Sequence, residues 1–80
     1  MARLDKLITE FKGAKGEYKW TDLLALLKGL GFDPIQGSGS RVKFTNGEVS
    51  INLHKPHPQK EVKAYAVKQV KTLLEQEGLI

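Results

Sequence analysis

His54 and His57 are the only histidines in the chain and its clearest means of moving a proton near neutral pH. They lie three residues apart in Asn52-Leu53-His54-Lys55-Pro56-His57-Pro58-Gln59-Lys60-Glu61. Lys55 and His57 each precede a proline and are pushed toward extended or polyproline geometry. A polyproline stretch turns once in three residues, so both imidazoles would face one way with Cα atoms roughly 9 Å apart. Beside cations, that pair could bracket one phosphate. A neutral imidazole would accept a proton from an RNA 2′-hydroxyl while a cation steadies the phosphate. A helix beginning at Pro58 would add free N–H groups that favour an anion near His57. The same ten residues read otherwise as a rigid basic connector that does no chemistry, with both rings wetting the surface. Two histidines without a well-placed carboxylate or thiol partner make an incomplete metal site.

Length and composition narrow the setting. Eighty residues with 40% hydrophobic content are enough for one thin two-layer domain, without a deep pocket, and no cofactor is expected. The chain has no cysteine, which rules out disulfides and thiolate zinc sites and suits a reducing cytoplasm. No segment approaches bilayer-spanning length, and residues 1–11 lack the apolar run of a signal peptide. Thirteen Lys+Arg against nine Asp+Glu give a net charge of +4, for which a polyanion is the default partner and ordinary solubility the alternative.

The elements that must carry these groups follow from periodicity. Leu4, Leu7, Ile8 and Phe11 form one helical stripe, broken by Gly13-Ala14-Lys15-Gly16. A second helix is predicted from Lys19 or Trp20 to Gly29 or Leu30. Its apolar set, Trp20, Leu23, Leu24, Leu26, Leu27 and Leu30, is wide enough to need cover on two sides. Residues 31–35 read as an edge strand because Pro34 cannot donate to a central ladder. Residues 41–45 and 48–53 alternate with period two around Asn46-Gly47, predicting a hairpin with a type I′ turn. Val42, Phe44, Val49, Ile51 and Leu53 would be buried. Arg41, Lys43, Ser50 and Asn52 would form the opposite face, where a ligand could lie.

The last helix is predicted from Pro58 to Glu77-Gly78. Val62, Ala66, Val70 and Leu73 would make its inward stripe, flanked by Tyr65 and Leu74. Lys60, Lys63 and Lys71 would then share the outer side around Val67. Tyr18, Trp20 and Tyr65 suit core or core-edge positions. Gly37-Ser38-Gly39-Ser40 is a turn whose backbone N–H groups could cradle a phosphate, a weak signal alone. The order α-α-β-β-β-α argues for an α+β fold: a three-stranded antiparallel sheet with helices on one face.

Gly39-Ser40-Arg41-Val42-Lys43-Phe44, then Ile51-Asn52-Leu53-His54-Lys55-Pro56-His57-Pro58, Glu61-Val62-Lys63 and the ending Leu74-Glu75-Gln76-Glu77-Gly78-Leu79-Ile80 resemble the HicA toxins of bacterial toxin–antitoxin pairs. The likeness covers about Glu17 to Ile80. It is closest to a subgroup with Tyr18-Lys19-Trp20 leading into the second helix and a His-Lys-Pro-His-Pro motif. It implies a double-stranded-RNA-binding-like α-β-β-β-α fold with an extra N-terminal helix. Residues 1–80 would be one HicA-like domain, with helix and linker in 1–16 and the core in 17–80. The implied activity is a ribosome-independent mRNA endonuclease restrained by a HicB-type antitoxin, and the leading reading of this chain is a cytoplasmic toxin that cuts mRNA without metal. Many members carry the catalytic histidine directly after the Gly-Ser pair or one position later, where this chain has Arg41 and Val42. Either His57 and His54 have taken over catalysis, or the chain is a non-catalytic RNA-binding or antitoxin-binding module. The RNA-binding set would be Ser40, Arg41, Lys43, Lys55, Lys60 and Lys63. Arg41 would act as a bidentate phosphate clamp, since guanidinium is a poor base.

Overall fold

Alternation of apolar and polar residues builds the centre of the molecule. The computed structural model describes residues 3–56 and 59–80. In chain order the elements are α1 (Arg3–Gly13), β1 (Tyr18–Lys19), α2 (Trp20–Gly29), β2 (Asp33–Gln36), β3 (Arg41–Thr45), β4 (Ser50–His54), β5 (Glu61–Val62) and α3 (Ala64–Gln76). β2, β3 and β4 form an antiparallel three-stranded sheet in that order, with Pro34 on the edge strand as its missing N–H requires. Val42, Phe44, Ile51 and Leu53 are buried beneath it, while Arg41, Lys43, Ser50, Asn52 and His54 face outward. The inner face and the apolar sides of all three helices share one core cluster that includes Leu7, Phe11, Leu23, Leu27, Val67 and Leu74. The indole of Trp20 lies 5.8 Å from the Phe44 ring. The fold is α+β, compatible with a double-stranded-RNA-binding-like α-β-β-β-α arrangement, and its outer sheet face is open. No described helix is long and apolar enough to cross a membrane.

α2 is covered on two sides, as its wide apolar set demands, with α1 against one flank. Its end is a Schellman closure. Gly31 has φ 97°, its N–H donates to the Lys28 carbonyl, and the Phe32 N–H donates to the Leu27 carbonyl. Phe32 then drops into the core beside Leu27.

The β3–β4 turn differs from the type I′ expectation. Among the described non-glycine residues none has positive φ, so Gly47, at 95°, is alone in this turn. The Asn46 carboxamide oxygen accepts from the Glu48 and Val49 N–H groups at 2.9 and 2.7 Å, and the Asn46 N–H donates to the Val49 carbonyl. Asn46 therefore brackets the turn instead of occupying its centre, which passes to Gly47-Glu48. This is the Gly-X arrangement of a hairpin needing positive φ only at its first central residue. Gly47→Val is expected to lose about 1–3 kcal/mol through that backbone strain, read as a lower denaturant midpoint at unchanged slope.

The C-terminal helix begins later than periodicity suggests. α3 starts at Ala64, and Glu61–Val62 instead pairs antiparallel with Tyr18–Lys19 as a second small sheet. The Trp20 N–H donates to the Lys60 carbonyl at 2.9 Å, so this stretch of backbone is committed to a strand. Lys63 is still extended, at φ −65° and ψ 152°. A later start rotates the inward stripe to Val67, Val70 and Leu74; Ala66 and Leu73 are only partly buried, and Tyr65 is exposed.

The expected lysine stripe is accordingly not one stripe. Lys71 turns inward, its ammonium donating to the Ala14 carbonyl at 2.8 Å and the Lys12 carbonyl at 3.3 Å, and lying over the Phe11 ring. It satisfies carbonyls at the C-terminal end of α1. Tyr18 meets Phe11 edge-on, and its hydroxyl is buried without a hydrogen-bond partner. That burial, with the carboxylates of Asp22 and Glu10 nearby, holds the phenol above its ordinary pKa.

Candidate functional site

The register of the hairpin decides which polar groups meet on the open face. With Gly47-Glu48 at the turn, Arg41 stands directly opposite His54, and Lys43 opposite Asn52. Directly opposed residues have Cβ atoms about 4.5–5.5 Å apart, so the guanidinium and the imidazole share one patch of surface. Ser40 precedes Arg41 and continues the ladder: its carbonyl accepts the Lys55 N–H at 2.7 Å. Its hydroxyl then lies 3.3 Å from His54 Nδ1.

This contact has two proton arrangements with different chemistry. If Nδ1–H donates to the serine oxygen, the Nε2 lone pair is free to take a proton. If the serine O–H donates to Nδ1, Nε2 carries the proton and can donate it. Either way Ser40 orients the ring from behind, and Nε2 is the atom left for a ligand.

Two shallow hollows meet at the ridge Asn52-Leu53-His54. The first, about 390 Å³, is bordered by Gly37, Ser38, Arg41 and Lys43, with no carboxylate among its lining residues. The second, about 450 Å³, lies between β4 and the start of α3, and Lys55, Glu61, Lys63 and Tyr65 border it. Of the expected RNA-binding residues, Arg41 and Lys43 line the first hollow and Lys55 and Lys63 the second. Ser40 touches His54, and Lys60 is exposed but lines neither hollow. His57 lies outside the described residues, as does the expected helix start at Pro58; the polyproline pairing of the two histidines is therefore not among the described geometry.

The Gly-Ser turn is more ordered than a loose phosphate cradle. The Gly37 and Arg41 N–H groups already donate to the Arg41 and Ser38 carbonyls. The Gln36 carboxamide nitrogen reaches the carbonyls of Gly37, Gly39 and Arg41. Two of the donors a nest would offer are thus engaged inside the turn.

Among the described residues no three His, Cys, Asp or Glu side chains gather into a metal-binding group. Sequence reasoning missed Tyr65, placed at the core edge but exposed at the rim of the second hollow. It also missed the pairing of Arg41 with His54, which no local pattern announces.

No curated protein and no solved structure matches the chain. A family model described as the HicA toxin of bacterial toxin–antitoxin matches residues 20–79, which contain α2, the whole three-stranded sheet, the His54 ridge and α3. The chain belongs to this HicA family and is the toxin of a toxin–antitoxin pair, with an antitoxin as its partner.

Proposed function

We propose that the chain binds and cleaves mRNA as a metal-independent endoribonuclease of the cytoplasm. It would belong to the subgroup carrying His54-Lys55-Pro56-His57-Pro58, and its antitoxin would be of the HicB type. The observation that carries this reading is the cross-strand pair of Arg41 and His54, with Ser40 behind the ring. The family's usual imidazole position after the Gly-Ser pair is occupied by arginine here, and the imidazole opposite it comes from the neighbouring strand.

The chemistry follows from that pair. Nδ1–H of His54 donates to Ser40 Oγ, and Nε2 accepts the proton of an RNA 2′-hydroxyl. The 2′-oxygen bonds to the adjacent phosphorus while the bond from phosphorus to the 5′-oxygen breaks. The leaving 5′-oxygen takes a proton from the imidazolium of His57, which enters the proposal on its place in the sequence alone, or from water. The products are a 2′,3′-cyclic phosphate and a 5′-hydroxyl. Arg41 supplies paired N–H donors to the non-bridging oxygens as charge builds on them. Lys43, Lys55, Lys60 and Lys63 hold the flanking phosphates, and the antitoxin would cover this face in competition with RNA.

The test is purified protein with a structured mRNA, with and without EDTA, beside variants in which His54 and His57 are replaced by alanine singly and together. Cleavage that survives EDTA, leaves cyclic phosphate ends and disappears in the double variant is the expected result. Undiminished cleavage in the double variant, or its abolition by EDTA, would end the proposal. Binding without any product would favour the RNA-binding module, the reading to which Arg41 points as a clamp that is no base.

The lysines give a separate expectation. Lys63→Gln should lower the salt slope of RNA binding by about 1, whereas Lys71→Gln, whose ammonium caps α1, should leave it unchanged. Equal slopes for the two variants would show that the basic face has been drawn wrongly.

A further inference from the structure

The proposed reaction makes no use of Tyr65, which stands in the first turn of α3 with 66% of its surface exposed. Exposing that much aromatic area has no structural benefit, since the core-facing side of this helix is filled by Val67, Val70 and Leu74. We propose that the groove between β4 and α3 takes one unpaired nucleobase of the RNA strand, stacked on Tyr65, while the phosphate of the same nucleotide sits in the adjoining hollow beside Arg41. The proposal rests on the reading of the chain as an RNA-cleaving toxin and adds its substrate class: single-stranded, not duplex, RNA at the point of cleavage.

Four features of the groove support a base as its occupant. Its volume of about 450 Å³ falls within the range of about 300–1,000 Å³ seen for small-ligand sites. Its walls carry the carboxamides of Asn52 and Gln69, which present both donors and acceptors to a base edge. Glu17 and Glu61 line it together with Lys55 and Lys63, so the groove carries no surplus of cations to draw a phosphate inward, and the carboxylates can accept N–H groups from a base. Pro56 and Ala66 add apolar surface beside the tyrosine ring, against which a flat base can pack.

The neighbouring hollow differs in charge. Arg41 and Lys43 line it and no acid does, so phosphate belongs there. Both hollows share His54 on their common ridge. A strand laid across that ridge, base on one side and phosphate on the other, brings its ribose over the imidazole, where the 2′-hydroxyl must lose its proton. In an A-form duplex the bases are stacked and paired inside, so only an unpaired nucleotide can adopt this splayed pose.

The test uses 2′-O-methyl RNA, which lacks the attacking hydroxyl and is not cut, as a single strand carrying one 2-aminopurine and as a duplex of the same sequence. Full-length wild type, Tyr65→Phe and Tyr65→Ala are titrated against both. Tyr65→Ala should weaken single-strand binding roughly tenfold and abolish quenching of the 2-aminopurine, while Tyr65→Phe stays within about twofold of wild type. Duplex affinity and melting temperature should not change in either variant. Single-strand affinity indifferent to Tyr65, or an equal loss for single strand and duplex, would overturn the stacking site. So would a Tyr65→Ala variant that loses only antitoxin binding, since the groove would then be a protein contact. A wild type that cuts ordinary RNA yet shows no Tyr65 dependence sinks this inference alone; a wild type that binds no RNA sinks the toxin mechanism with it.

Discussion

Purified His54→Ala protein should cleave RNA about 10²–10⁴-fold more slowly than wild type, the usual contribution of a positioned general base, while holding an uncleavable RNA almost as well. The separation of rate from affinity is the point of the experiment. His54 is an exposed residue on an edge strand, and among the described residues its ring makes one side-chain hydrogen bond, to Ser40. Removing it opens no cavity and frees no buried donor, so the fold and the basic face should persist. Ser40→Ala should show a smaller loss in rate, because the ring keeps its chemistry but not its orientation. Ser40→Thr, which keeps the hydroxyl, should recover much of that loss, whereas a merely structural serine would not distinguish the two. Should His54→Ala cut as fast as wild type, the cross-strand pair is not the reacting group and the role reverts to residues around His57.

Phe44→Ala is the substitution expected to damage the molecule most. Phe44 is fully buried in the central strand, opposite Pro34 on one side and Ile51 on the other, with the Trp20 indole 5.8 Å away. Truncating a buried phenylalanine typically costs about 3–5 kcal/mol, the lost transfer energy plus the cavity left behind. Domains of this size hold roughly 5–15 kcal/mol in total, so one side chain carries a large share of the margin. Each 1 kcal/mol moves the midpoint of a small domain by about 4–8 °C, and a fall of at least about 12 °C should appear in thermal unfolding. A drop of only a few degrees would mean that the sheet does not rest on α2 through this ring. Phe44→Leu, which refills most of the volume, should be much milder.

What the sequence disclosed, and what it concealed, follow from how far each interaction reaches along the chain. The alternation Val42, Phe44, Ile51, Leu53 announces the buried sheet face, because period two is a local property of a strand. Helix stripes in α1 and α2 are equally local. β1 and β5 are two residues each and show no period, so their pairing across the chain is invisible until the fold is assembled. Reading Glu61–Val62 as helix turns the expected stripe by part of a turn: Val70 stays inward and Leu74 beside it, but Tyr65 falls at the core edge and Val67 toward solvent, where the structure has the reverse. The site suffered a related error. A turn centred on Asn46-Gly47 would set Thr45 against Glu48, and hence Arg41 against Asn52. Moving the centre by one residue shifts the partner by two, so the faces stay right while the neighbours change. Arg41 thereby meets His54, a juxtaposition fixed by one asparagine side chain bonding to two backbone N–H groups.

The tie between α1 and the rest of the molecule bears on where this toxin can be trimmed. The family match opens at residue 20, yet Phe11 is fully buried ahead of that point and Lys71 reaches back to the end of α1. A fragment cut at the boundary of the match would bare the aliphatic flank of α2 and leave an ammonium without the carbonyls it serves. Aggregation, and not a smaller working toxin, is what such a fragment invites. The homologous portion and the portion able to fold by itself are different lengths of polypeptide.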